Sequence, residues 1–421
     1  MMGTMNRHEF LRLLAAGAGA SAVAAACGSK RANEANAEQG SGSGSGSNAA
    51  QGSGTTAAPA AGDDAMRDKL VGELVESQRH LFQLMAIAIG DSLGLYAALT
   101  RTPNQTSTEL AKATSSNERY IREWLEHQTV TGILVVDDVK ADAKARRFSL
   151  PKGHAEVLTD KESLAYLTPV LRLALSTAPM LPKLVDAYKT GKGVPWSAYG
   201  REATEGQGGA NRATFLQLIG SEWLPKIKDV DARLKADPPA RVADFGCGVG
   251  WSSIAMALAY PKIKVDGYDI DAMAVELATA NAKAAGVGDR VSFHVKSAYD
   301  PEFKGSYDLA TAFEVVHDLS RPVDALKTMR RLVGDTGSVV IVDERVGHEF
   351  TGANADWVER LWYGWSITMC LPTGKDDTVS AETGSIMRPK ILEGYASQGG
   401  FTKFEVLPIE NDLFRFYHLR A

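Results

Sequence analysis

Arg241-Val242-Ala243-Asp244-Phe245-Gly246-Cys247-Gly248-Val249-Gly250-Trp251 is the stretch that decides the fold. A short strand with Val242, Ala243 and Phe245 as its apolar residues runs into a loop with glycine at every second position, and Ser252 to Ala259 then reads as a helix. Glycines at that spacing permit a tight turn and let backbone N–H groups approach a ligand at a helix N-terminus. The pattern is G-x-G-x-G, and Trp251 stands where a dinucleotide-binding loop places its third glycine, which disfavours a nicotinamide or flavin dinucleotide. Asp244 would repel a pyrophosphate but suits a ligand carrying an ammonium or sulfonium group, and that charge logic points to S-adenosylmethionine.

Downstream, strand and helix patterns alternate. The strand Lys264 to Asp269 ends in an acid at the spacing where a carboxylate accepts hydrogen bonds from ribose hydroxyls, with Asp271 as a helix N-cap. A helix at Ala272 to Ala285, strands at Val291 to Val295 and Tyr307 to Glu314, a helix at Pro322 to Val333 and a strand at Ser338 to Glu344 follow. A last helix, Pro389 to Gly399, leads into strands near Phe404 to Leu407 and Leu413 to Leu419, which lie close enough to pair only as a hairpin. The expectation is an α/β fold: a doubly wound, mostly parallel seven-stranded sheet with one antiparallel strand.

Upstream, the first 65 residues read as address and tether. Arg7 and Arg12 precede an uncharged Leu13 to Ala26 stretch ending in Ala24-Ala25-Ala26-Cys27, which is too short to span a bilayer and has the pattern of a secretory signal. It resembles a bacterial lipoprotein signal with Cys27 as the lipidated residue, and less closely a twin-arginine motif, where His8 replaces one Arg. Residues 28–65 form a Gly/Ser/Ala-rich linker. The alternatives are a cell-envelope protein or a cytoplasmic one whose translation begins at Met66.

From Met66 a helix places Leu70, Leu74, Leu81, Met85 and Ala88 on one stripe. A helix holding Leu110 and Ala111 follows, capped by Thr106 or Ser107. A second, Glu118 to Thr131, would bury Tyr120, Ile121, Trp124 and Leu125. Leu134 to Val136 and Arg147 to Leu150 read as a two-stranded wing, making residues 66–158 an α-rich winged-helix domain. Its second helix carries Glu118, Glu123 and Glu126 against Arg119 and Arg122, a balance that repels phosphates, so a dimerisation or scaffold role is preferred to DNA binding. Residues 159–236 read as helices around a Gly-rich aromatic loop, Gly191 to Gly209, placed as a lid.

Composition sets the outer bounds. With 421 residues, 46 Lys+Arg against 51 Asp+Glu and 44% apolar residues, the chain suits about two globular units and gives no basic nucleic-acid footprint. Cys27, Cys247 and Cys370 are too scattered for a disulfide framework or a thiolate zinc site, and no resident metal is expected.

The glycine loop, Asp269 and the segment Phe313-Glu314-Val315-Val316-His317-Asp318 resemble class I S-adenosylmethionine-dependent methyltransferases over residues 237–421. Gly90 to Tyr96, Glu118 to Leu125 and Ile386-Met387-Arg388-Pro389 extend the resemblance to bacterial members with an N-terminal winged-helix dimerisation domain. The resemblance implies a homodimer and S-adenosylmethionine as cosubstrate. It assigns Asp244, Gly246, Gly248 and Gly250 to the methionine moiety, Asp269 to the ribose, and Ser297, Ala298 and Phe313 to the adenine, with Cys247 and Ile270 also in the cofactor site. By the same resemblance His317 is the base of an O-methyltransferase and Glu344 the carboxylate that orients it; the competing reading makes His317 a pocket residue. Trp357, Leu361, Trp362, Tyr363, Trp365, Met369 and Cys370 fall in an insertion that suits an apolar or aromatic small-molecule acceptor or a dimer contact. A ligand-sensing regulator and an exported lipoprotein that keeps the fold only for binding are the rival classes.

Overall fold

The computed structural model describes residues 61–421, so the signal expected at residues 1–27, with Cys27, and most of the expected linker lie outside the described residues. The described residues up to Phe82 and those from Gln83 onward fall into two separate units. The first described helix, α1 (Ala61–Ser92), starts five residues before Met66, inside the stretch expected to be linker. In its first unit Met66, Leu70, Val71, Leu74 and Val75 are all exposed. No single described helix is long and apolar enough to cross a membrane.

The second unit opens with the winged helix. α2 (Leu95–Arg101), α3 (Ser107–Ala113) and α4 (Glu118–Val130) surround Leu95, Tyr96, Leu99, Leu110, Ile121, Trp124 and Leu125. Thr106 caps α3 through a reciprocal capping box with Glu109, and Asn117 caps α4. The wing is β2 (Val135–Val136) and β3 (Arg147–Ser149), and a third strand that the sequence reading lacked, β1 (Gln105–Thr106), pairs with β3. Tyr120, expected in the core, is 80% exposed; Gln128 takes the inward position instead, because its Oε1 accepts the buried Tyr96 hydroxyl at 2.5 Å.

Four helices connect the domains: α5 (Lys152–Thr159), α6 (Thr168–Ser176), α7 (Leu181–Thr190) and α8 (Gly200–Leu218). The expected loop is therefore helical from Gly200. Tertiary packing overrides the poor helix propensity of its glycines, since Gly206 lies against Leu173, Gly208 against Val249 and Gly209 against Pro169. A Cβ on Gly208 would stand 2.2 Å from Val249 Cγ2, so the bare backbone lets α8 press directly on the glycine loop.

After α9 (Lys228–Lys235) the chain enters the seven-stranded sheet, ordered β6-β5-β4-β7-β8-β10-β9. Its strands are β4 (Arg241–Phe245), β5 (Lys264–Asp269), β6 (Val291–Val295), β7 (Leu309–Phe313), β8 (Ser338–Glu344), β9 (Lys403–Val406) and β10 (Phe414–Arg420). β10 alone runs antiparallel to its neighbours, slotted between β8 and β9 as the hairpin argument requires. Helices α10 (Trp251–Ala259), α11 (Ala272–Ala284), α12 (Pro322–Val333), α13 (Trp357–Trp365), α14 (Leu371–Gly374) and α15 (Pro389–Gln398) complete the domain, which is a doubly wound class I methyltransferase fold. The strand order reverses between β4 and β7, and ligands of open α/β sheets bind at such a switch point, outside the carboxyl ends of the strands.

Candidate active site

The glycine loop leaves β4 at this switch point. Gly246, Gly248 and Gly250 all have positive φ, at 63°, 52° and 88°, so each needs the conformational freedom of glycine. Their surroundings differ. A Cβ on Gly246 would lie 2.2 Å from Val315 Cγ2, and one on Gly250 2.6 Å from the Phe293 ring, whereas one on Gly248 would meet nothing within 4 Å. Gly246 and Gly250 thus allow the protein to close on itself, and Gly248 is the open point where a ligand can reach the backbone. Gly246 N–H and Cys247 N–H both donate to the Tyr268 carbonyl, and the Cys247 side chain is buried.

Asp269 ends β5 beside this loop. Its Oδ2 accepts from Gly248 N–H at 2.8 Å and its Oδ1 from Asp271 N–H at 2.9 Å, and burial nevertheless raises its pKa. Ile270, next in the chain, is exposed, which leaves an apolar surface beside the carboxylate. The Lys296 N–H donates to the Asp269 carbonyl, bringing the following Ser297 and buried Ala298 close to the same strand end. Those residues fit an adenosine-bearing ligand: an open glycine backbone, a carboxylate and an apolar shelf at adjacent strand ends.

Two residues assigned to the cofactor are placed differently. Asp244 is fully buried and accepts hydrogen bonds from Ser252 Oγ, Ser253 Oγ and Thr311 Oγ1 at 2.5, 2.6 and 2.7 Å. Its carboxylate ties α10 and β7 to β4, and does not stand open to a ligand as the charge logic required. Phe313 packs against Phe215 and Trp223, ring centroids 5.5 and 6.5 Å away, so its ring is part of the hydrophobic core beneath α8.

At the end of β7 the chain bends through Glu314, whose φ of 56° is unusual for a residue with a Cβ, into the turn Val316–Asp318 that carries His317. The imidazole is 2% exposed and ringed by carboxylates. Nδ1 meets Asp343 Oδ1 at 2.6 Å in hydrogen-bond geometry and Glu344 Oε2 at 2.7 Å outside it, while Nε2 stands 3.2 Å from Asp318 Oδ1, also outside it. Burial disfavours the imidazolium, but Asp318, Glu344 and Asp343 outweigh it and hold the pKa of His317 well above its usual value. The adjacent acids divide the charge. Burial, outweighed by His317, still leaves Asp343 below the carboxylate range, whereas burial and the charge of Asp343 push Glu344 well above it. Of the two, Asp343 is the one that more readily carries the negative charge beside His317.

Sequence reasoning paired His317 with Glu344 and missed Asp343, for which no sequence signal exists beyond an acid at the strand end. His317 with Asp343 and Glu344, and His317 with Asp318 and Cys370, are the described groups whose ligand atoms cluster closely enough for a metal ion. In the first group, however, Nδ1 and the carboxylate oxygens stand 2.6 and 2.7 Å apart. Two ligands of one metal at bonds of about 2.1 Å stand about 3 Å or more apart, so the spacing is that of hydrogen bonding.

Over this end of the sheet the insertion folds as α13 and a π-helical turn, Ser366–Cys370. Trp362, Met369 and Cys370 are buried, and Trp357 and Leu361 are exposed. α13 is anchored by an ion pair between Arg388 Nη2 and Glu359 Oε1 at 2.8 Å, both ends being nearly buried. Glu359 Oε2 accepts from Gly347 N–H and Arg388 Nη1 donates to the Gly347 carbonyl, which ties the helix to the loop after β8. In the winged helix, Arg119 pairs with Glu123 and Arg122 with Glu118, so both bases of α4 are spent on its own acids.

Comparison with known proteins agrees with this architecture. Residues 82–160 match the family described as Rv2258c-like winged HTH domain, and residues 236–382 a methyltransferase domain family. Ajmaline N-methyltransferase of Rauvolfia serpentina is 28% identical over 170 residues, covering 38% of this chain and 56% of the relative. A ribosomal RNA small subunit methyltransferase G of Synechococcus is 33% identical over 125 residues, 27% of this chain and 48% of the relative. The chain thus spans about half the length of these two curated relatives, and 5% of a third, a Burkholderia thailandensis polyketide synthase. Among solved structures, an O-methyltransferase family protein from Burkholderia thailandensis superposes with a TM-score of 0.60 at 15% identity, covering 83% of this chain and 98% of that one. Human N-acetylserotonin methyltransferase in complex with SAM gives 0.58 at 15% identity, covering 88% and 99%.

Proposed function

We propose that this chain, which joins a Rv2258c-like winged-helix domain to a class I methyltransferase domain, moves a methyl group from S-adenosylmethionine to a small apolar or aromatic molecule, with oxygen as the favoured acceptor. S-adenosylmethionine supplies a methyl carbon already activated by its sulfonium, so the protein's task is alignment, exclusion of water and handling of one proton. Gly248 and Asp269 would hold the adenosine side, with Ile270, Ser297 and Ala298 around the base. α13 and the turn after it would cover the acceptor.

The observation that carries the reading is the position of His317 at the switch-point end of β7, with Nδ1 fixed by Asp343. That bond leaves Nε2 as the nitrogen to take the acceptor's proton. Because the surrounding carboxylates raise its pKa, His317 is protonated below that value and becomes a competent base only as the pH rises through it. Transfer of label from methyl-labelled S-adenosylmethionine into a metabolite extract tests the activity. His317→Ala should lower the maximal rate by about 10²–10⁴-fold with little change in cosubstrate affinity, because general-base help is realised in the transition state. A rate that barely changes would favour a nitrogen or carbon acceptor.

The exposed stripe Leu70, Val71, Leu74 and Val75 and the paired charges of α4 support a homodimer over a DNA-bound form. Light scattering should report twice the mass of the 45.1 kDa chain at micromolar concentration, and a monomer would contradict it.

A further inference from the structure

A cosubstrate with an ammonium and a sulfonium needs an anionic partner at its methionine end, and the residue nominated for that place, Asp244, is occupied. The other carboxylates around the loop are almost all spent as well. Asp269 accepts from Gly248 and Asp271 N–H, one bond to each oxygen. Asp271 caps α11 through Oδ1 and accepts from Thr204 through Oδ2. Glu314 differs: Gln207 Nε2 donates to its Oε2 at 3.2 Å and the Asn211 side chain also interacts with the carboxylate, but Oε1, though buried, accepts no hydrogen bond of full geometry among the described residues.

The neighbours of Glu314 locate it. Val315, the next residue, is the one that packs on Gly246, and Gly208, next to Gln207, packs on Val249. β7 pairs with β4 in register up to Phe245 and Ala312, so the end of one strand lies beside the loop of the other. Glu314 therefore stands between the glycine loop, α8 and His317. Its left-handed backbone is a strained conformation of the kind that persists where the surroundings enforce it, often at ligand sites.

We propose that Glu314 is the residue that receives the α-ammonium of the cosubstrate's methionine moiety, with Gln207 orienting its carboxylate. The inference rests on the glycine loop being the S-adenosylmethionine site. It accounts for a buried carboxyl oxygen left without a hydrogen bond of full geometry beside two neutral amides, Gln207 and Asn211, and for the glycine face of α8, which brings Gln207 within reach. Burial, with the charge of Asp343 and against that of His317, pushes Glu314 up to about 7, so a cation arriving beside it draws out a proton and completes the pair.

The test is calorimetric titration of the full chain with two ligands, S-adenosylhomocysteine and 5′-methylthioadenosine. The second keeps the adenosine and thioether but lacks the ammonium and carboxylate. Glu314→Gln preserves shape and removes only the charge, so folding is retained, which thermal unfolding verifies. It should weaken S-adenosylhomocysteine by about 10- to 100-fold, the loss of one charge-assisted hydrogen bond at a buried site, and leave 5′-methylthioadenosine unchanged. Glu314→Asp should recover part of the loss. Equal weakening of both ligands, or of neither, overturns the assignment. Failure of the unsubstituted protein to bind either ligand overturns the cosubstrate reading itself, and this inference with it.

Discussion

Asp343 and Glu344 are neighbours on β8 and both reach the same nitrogen of His317, yet they should behave differently when neutralised. Asp343→Asn removes the acid held below the carboxylate range, whose Oδ1 accepts from Nδ1 at 2.6 Å inside a site almost closed to water. An opposite charge within about 4–6 Å moves a pKa by about one to three units, so the titration of His317 should fall by that amount. Glu344→Gln removes the acid whose carboxyl is held well above the carboxylate range, the more readily protonated of the two, and should move His317 in the same direction by less. The sign follows from which state each partner favours. Asp343 stabilises the imidazolium, so its loss lets the ring give up its proton at lower pH. The assay is the pH dependence of the imidazole carbon resonances in protein labelled with ¹³C-histidine, with His317→Gln identifying the signal, so no acceptor is needed. A shift in Glu344→Gln as large as that in Asp343→Asn, or an upward shift in Asp343→Asn, would refute the division of charge.

Arg388→Met should destabilise the chain by about 3–5 kcal/mol in urea unfolding, because it strands Glu359 as a buried charge, and Glu359→Gln in the same chain should restore part of that. Gly208→Val should weaken S-adenosylhomocysteine binding and cost about 1–3 kcal/mol, since a Cβ there has no room against Val249 and must push α8 off the loop. Calorimetry and thermal unfolding of one preparation read both effects.

The backbone geometry of the glycine loop and the place of Asp269 beside it were legible in the sequence, where the signal is local. Three glycines with positive φ and an acid at the next strand end sit within 30 residues and announce themselves. Asp244 misled because its partners are hydroxyls: Ser252 and Ser253 lie in the following helix and Thr311 lies 67 residues on, on the strand that pairs beside β4, and only the folded sheet shows that they converge. Asp343 stayed hidden because successive strand residues normally face opposite sides, so an acid beside Glu344 reads as pointing away from His317. Glycines in α8 read as loop because helix propensity is a local preference, and the close approach of Val249 that favours them lies 41 residues on, between Gly208 and that residue. Tyr120 shows the converse: an aromatic at a helical core spacing that the fold leaves exposed.

The central claim is that the loop at Gly248 and the carboxylate of Asp269 bind S-adenosylmethionine, and titration calorimetry of the full chain and two variants tests it directly. The unsubstituted protein should bind one S-adenosylmethionine per chain. Gly248→Val, which fills the only loop glycine open to a ligand, and Asp269→Ala, which removes the carboxylate between Gly248 and Asp271, should each weaken it by about tenfold or more. Undiminished affinity in both folded variants would contradict the account.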